Sequence, residues 1–90
     1  MAKAVVDPEE LRQFAQELKR FNGELSRAAG ALNARFNALS QTWRDQEQRK
    51  FAEEFEQMMR QVQRFAKVSD DQAPFLMRKA DRIEEYLNQR

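Results

Sequence analysis

The chain of 90 residues contains no cysteine and no histidine. Without cysteine there is no disulfide staple and no thiolate nucleophile. Without either residue there is no Ser-His pair, no HExxH zinc site, no structural zinc and no Glu-x-x-His di-iron motif. Glycine is nearly absent too: Gly23 and Gly30 stand alone inside helical patterns, so no clustered glycine loop is available to cradle a phosphate. Charge of one sign is also missing. Lys and Arg number 16 against 15 Asp and Glu, and basic and acidic residues interleave along both halves, which argues against a nucleic-acid stripe. Paired carboxylates at Glu53/Glu54, Asp70/Asp71 and Glu84/Glu85 are adjacent on helices and diverge, so they read as solvated surface rather than an acid/base dyad. No cofactor and no enzyme activity are expected.

Long hydrophobic runs are lacking as well. No stretch has the length of a membrane span, and Met-Ala-Lys-Ala-Val-Val-Asp-Pro at the start lacks the apolar core of a secretory signal. The expectation is a cytoplasmic origin without a cleavable signal peptide. A chain this short buries a modest fraction of its surface, and with no staple to help it, it needs efficient helix packing or a partner.

What the chain does have is apolar residues at helical spacing. Asp7-Pro8-Glu9-Glu10 is a helix start: an N-cap acceptor, a proline suited to the first position and acids at the positive end of the dipole. Leucine then recurs every seven residues at Leu11, Leu18, Leu25, Leu32 and Leu39. A second row runs through Phe14, Phe21 and Ala28 and shifts by one residue to Phe36 and Trp43, the drift of a 3.6-residue helix against a seven-residue repeat. Gly30, within Ala28-Ala29-Gly30-Ala31, fits a close helix crossing or a tolerated surface glycine.

Ser40-Gln41-Thr42-Trp43-Arg44-Asp45 interrupts the pattern and holds the only tryptophan. Asp45 with Gln48 reads as a capping box opening a second helix. Its stripe is Phe51, Phe55, Met58, Val62 and Phe65, widened by Ala52, Met59 and Ala66. Ser69 through Pro74 then turns polar. Pro74 would cost a helix interior about 3 kcal/mol, and Ser69 with Gln72 reads as another capping box, so a kink or restart is expected before Leu76, Ala80, Ile83 and Leu87 resume the apolar face.

These signals predict an all-α chain with one domain over 1–90: a helix over about 8–40, a turn over about 41–45, and a helix over about 46–88 with a kink or break near 69–74. Two helices touching along one line cannot cover stripes this wide. An antiparallel hairpin that dimerises into a four-helix bundle, with itself or with a paralogous hairpin, would cover them. The dimer and core seam is expected to hold Leu11, Phe14, Leu18, Phe21, Leu25, Leu32, Phe36, Leu39, Phe51, Phe55, Met58, Val62 and Phe65.

Length, the two helices and Thr42-Trp43-Arg44-Asp45 at the turn, followed by Phe51 and Phe55, resemble the Trp-X-Gly (WXG), ESAT-six-like family of helical hairpins associated with type VII (ESX) secretion. The resemblance implies a substrate, adaptor or chaperone-like protein. It would act by binding, with Thr42, Trp43, Arg44 and Asp45 as a recognition surface and a secretion ATPase or effector protein as further partners. Two positions depart from the family. Asp45 stands where the motif has glycine, keeping turn and N-cap competence. The secretion motif Tyr-X-X-X-Asp/Glu would fall on Tyr86, but the fourth residue after it is Arg90, so export would depend on a partner's signal. The contrasting expectation is an intracellular coiled-coil assembly or regulatory adaptor with no role in export.

Overall fold

In the computed structural model, residues 6–89 can be described, and they form two long helices joined by a short turn: α1 from Pro8–Leu39 and α2 from Gln46–Asn88. Each start is set by local chemistry. Asp7 is extended and its Oδ1 accepts from the Glu9 amide at 2.9 Å, with Pro8 in the first turn. Asp45 is likewise extended, and its Oδ1 accepts from the Gln48 amide at 2.9 Å. The helices lie against each other as an antiparallel hairpin. It measures 68 × 23 × 16 Å with a radius of gyration of 20.2 Å, whereas a compact chain of this length would have about 12 Å. A rod this thin has no enclosed core; its interior is a single line of contact.

That line is built mainly from small residues. Ala15, Asn22, Ala66, Ser69, Ala73 and Ala80 are buried; Ala15 and Asn22 on α1, and Ala66, Ala73 and Ala80 on α2, recur at seven-residue steps, so the backbones can approach closely over much of their length. Toward the turn the packing changes to aromatic rings. Phe36 lies 4.9 Å from Phe55 and 5.5 Å from Phe51 between ring centroids, and Phe51 stacks on Phe55 at 5.8 Å.

Two expectations are corrected here and one open choice is decided. α2 runs through residues 69–74 without a restart, because Ser69 and Ala73 are buried in the contact with α1 and Pro74 points outward. Packing on both sides of the proline therefore offsets the lost amide. The second capping box does not form: Ser69 is interior to α2 and Gln72 is exposed. Of the two readings of Gly30, the tolerated surface glycine holds, since the residue is exposed and a Cβ there would meet nothing within 4 Å.

Two polar contacts fix the pairing of the helices. Asn22, fully buried, donates from Nδ2 to Asp70 Oδ1 at 2.9 Å, while its own Oδ1 has no partner among the described residues. A polar group in an otherwise apolar seam penalises any slip that would separate it from its partner. At the open end Arg12 reaches from α1 to Asp81 at 2.8 Å and to Glu84, and also pairs with Glu9. These hydrogen bonds, Asp81 first, raise the guanidinium above the ordinary arginine range, so it stays charged at every working pH.

Candidate functional site

The turn is held by hydrogen bonds that need no glycine. The amide of Trp43 donates to the Leu39 carbonyl at 3.0 Å, that of Gln41 to Ala38 at 3.1 Å, and Thr42 Oγ1 to Leu39 at 3.3 Å. Gln48 does not close a capping box on Asp45; its Nε2 donates instead to Ser40 Oγ at 2.9 Å, tying α2 to the end of α1. Among the described residues none has a positive φ, and Asp45 sits at φ −88° and ψ −173°. A left-handed residue is therefore not required, which is why an aspartate can occupy this position and cap α2 at the same time. Thr42, Arg44 and Asp45 are exposed around the turn, and Trp43 is half-buried with its ring 6.1 Å from Phe51. The four turn residues thus form one end surface with an aromatic floor.

The apolar residues divide into two sets. Leu11, Leu18, Leu25, Phe36, Phe55 and Val62 lie in or beside the contact line. Phe14, Phe21, Leu32, Leu39, Phe51, Met58 and Phe65 are exposed, with Val68 and Phe75 beside them. At 100° per residue, all nine exposed side chains fall on one side of the hairpin. Contacts agree with that placement: the Phe21 and Phe65 rings meet edge to face at 6.4 Å, and Leu32, Leu39, Phe51 and Met58 wall a single cleft. The leucine row is therefore not one seam. Its slow drift carries Leu32 and Leu39 out of the contact, where Phe36 takes over.

Nine side chains leaving roughly 80–100 Å² each in water expose on the order of 800 Å² of apolar surface. That exceeds the largest patch of an ordinary monomer, about 300–600 Å², and matches what each partner contributes to a standard interface, about 800 Å². The opposite broad face is different. Its groove is lined by Ala29, Ala52, Met59 and Val62 together with Ser26, Gly30, Asn33, Asn37, Glu56, Arg60 and Gln63; none of its large apolar side chains is exposed, and Arg60 pairs with Glu56 at 3.0 Å. Small residues such as Ala15, Ala73 and Ala80 were absent from the expected seam; the seven-residue spacing of Ala66, Ala73 and Ala80 was the signal that could have found them.

Among the described residues no three potential metal-ligating side chains cluster, and no helix is long and apolar enough to cross a membrane. Fold and site together define an elongated antiparallel helical hairpin with one large apolar face. The family described as proteins of 100 residues with WXG matches residues 4–86, and the chain belongs to it. This is a non-enzymatic family of small helical proteins related to type VII secretion.

Solved structures agree. The secreted protein EsxB from Bacillus anthracis str. Sterne is 29% identical over 96% of this chain and 98% of its own, with a TM-score of 0.77. Its wild-type form in another crystal is 30% identical over 93% and 97%, with a TM-score of 0.76. A single-residue variant of EsxB is 29% identical over 94% and 96%, with a TM-score of 0.80. No curated protein matches the chain at a significant level.

Proposed function

We propose that this hairpin works by binding: its apolar face pairs with a second hairpin, itself or a paralogue, to complete a four-helix bundle that serves a type VII-like secretion route as substrate or adaptor. The observation that carries this reading is the segregation of nine large apolar side chains onto one face that the hairpin does not cover. A second hairpin of the same shape offers a matching stripe, and burying the two against each other removes both from water. The end surface of Thr42, Trp43, Arg44 and Asp45 stays outside that face and remains free to meet a further partner, such as a secretion ATPase. Likeness to a secreted protein supports export, and with Arg90 after Tyr86 a paired chain carries the signal. Arg90 itself lies outside the described residues.

Export tests the link between the face and the function. Expressed with a tag in a bacterium that carries a type VII apparatus, the chain should accumulate in the medium. Phe21→Glu with Phe65→Glu, checked for helicity by circular dichroism, should hold it inside the cell. Equal export of both forms would sever the connection between pairing and secretion.

A further inference from the structure

The outer edges of the hairpin, where each helix faces away from the other, carry opposite charges. At 100° per residue, Glu10, Glu17 and Glu24 follow one seven-residue line along the outside of α1, with Arg20 beside them. Beyond Gln63 the outside of α2 holds Arg64, Lys67, Arg78, Lys79 and Arg82 against Asp71 and Glu85. The other acids of that stretch turn inward: Asp70 accepts from Asn22, and Arg12 holds Asp81 and Glu84. Helix dipoles favour charge only in the first and last turns, so they do not account for Glu17, Glu24, Arg64 and Lys67, which lie deep inside their helices. The edges also match in order. Asn22 beside Asp70, Arg12 beside Asp81 and Phe36 beside Phe55 set the level of one helix against the other. In that register Glu10 stands level with Arg82, Arg20 with Asp71 and Glu24 with Lys67. Arg20 pairs with Glu17 at 3.5 Å and Lys67 with Asp71 at 3.7 Å, and these four side chains are between 66% and 79% exposed. Laid edge to edge, Glu17, Arg20, Asp71, Lys67 and Glu24 alternate in sign without a break.

We infer that these edges are a lateral contact between copies of this chain, in which the outside of α1 of one hairpin lies along the outside of α2 of the next and the copies are related by translation. Charge complementarity selects this arrangement. Joining two α1 edges about a two-fold axis also sets Glu10 against a base, Arg35, but leaves the bases of α2 without partners. Val68 and Phe75 stand on the outer edge of α2, 53% and 47% exposed, and Arg20 of the neighbouring copy falls between their levels, where its methylene stem covers both. Exposed ion pairs are weak singly and gain from forming a network, so crowding or low salt brings the contact about. One like-charged meeting, Arg27 with Arg64, opposes it. A heterologous contact of this kind does not close on itself: the hairpins line up side by side with every turn at the same end. Their Trp43 surfaces then form a row, which binds a multivalent partner with greater avidity than one hairpin does. The edges lie about a quarter turn from the apolar face, so the contact is independent of what covers that face.

The chain has no cysteine, so introduced thiols read the contact directly. Ala31 and Gln57 are uncharged, exposed and close in level on the two edges. At about 10 mM salt, where charges act over ~30 Å, Ala31→Cys mixed with Gln57→Cys should form a disulfide between the two variants, and a chain carrying both should give a ladder of products longer than a dimer. At about 1 M salt, where that reach falls to ~3 Å, the yield should drop about ten-fold or more. Glu10→Lys with Glu24→Lys should lose the ladder, as should Lys67→Glu with Arg82→Glu, while a mixture of these two charge-reversed chains should regain it. Arg27→Glu should raise the yield. In the Phe21→Glu with Phe65→Glu background, where the apolar face no longer pairs, the ladder should persist; its loss there would overturn the lateral contact. Linkage of Ala31→Cys to Gln13→Cys in place of Gln57→Cys would show two α1 edges meeting and overturn it too, as would a ladder indifferent to salt and charge reversal. So would a chain that forms no ladder but is retained on anionic vesicles through Lys67 and Arg82, which would give the basic edge to a membrane surface.

Discussion

The two broad faces of the hairpin are made by the same two helices, yet one carries exposed phenylalanine, leucine and methionine, while the other mixes alanines and the half-buried Met59 and Val62 with serine, asparagine, glycine, glutamine and an Arg60–Glu56 pair. Phe36 and Phe55 are the partition between them, since both line the groove on each side. Amphipathicity here therefore has two levels. One apolar stripe, largely of alanines, joins α1 to α2. A second, of large side chains, is left uncovered by the hairpin. A helix that needed only its hairpin partner would carry one stripe about 100° wide; these carry more.

Breaking the partition has the largest expected effect. Phe55 is buried and touches both Phe36 and Phe51, so Phe55→Ala opens a cavity that joins the two grooves and should cost about 3–4 kcal/mol in urea unfolding. A loss below about 1 kcal/mol would mean that the rings do not organise the closed end. Leu32→Ala acts on one face only. Leu32 is half exposed in the single hairpin, so its truncation should weaken pairing by about 1–2 kcal/mol, seen as a lower unfolding midpoint at concentrations where the chain pairs and an unchanged one where it is too dilute to pair. A loss that persists at that dilution would place Leu32 in the hairpin's own stability. The smallest effect has the opposite sign. Gly30 lies on the polar face with open space where a Cβ would stand, so Gly30→Ala should raise stability by about 0.5–1 kcal/mol and leave association unchanged. Weaker association in that variant would reveal a partner on the polar face.

The two-helix fold was legible because its evidence is local or periodic: Asp7 and Asp45 cap through contacts within the next three residues, and the apolar spacing excludes strands. Membership of the family was legible from Trp43 at the turn between two such helices. The division of the apolar residues was not. Leu18 and Leu32 belong to one heptad row, and only the position of α2 decides that the first is covered and the second exposed. Small residues were passed over for a related reason. Alanine is unremarkable on a helix until a neighbouring backbone comes close, and Asn22 reads as surface until Asp70 is placed beside it. Pro74 misled in the same way: its local cost is real, but Ser69, Ala73 and Ala80 anchor α2 on both sides of it.

The central claim is that the uncovered apolar face is the one through which this chain binds another hairpin. Light scattering on the purified chain at about 10 μM, a concentration at which an interface of about 800 Å² per partner is ordinarily populated, tests it most directly. The account predicts twice the chain mass of 10.7 kDa for the native sequence. It predicts a single chain mass with retained helicity for Phe21→Glu with Phe65→Glu, and no change for Asn33→Lys with Gln63→Lys on the polar face. A native chain that stays monomeric with or without a related hairpin, or an association that survives the first pair and is lost with the second, would contradict it.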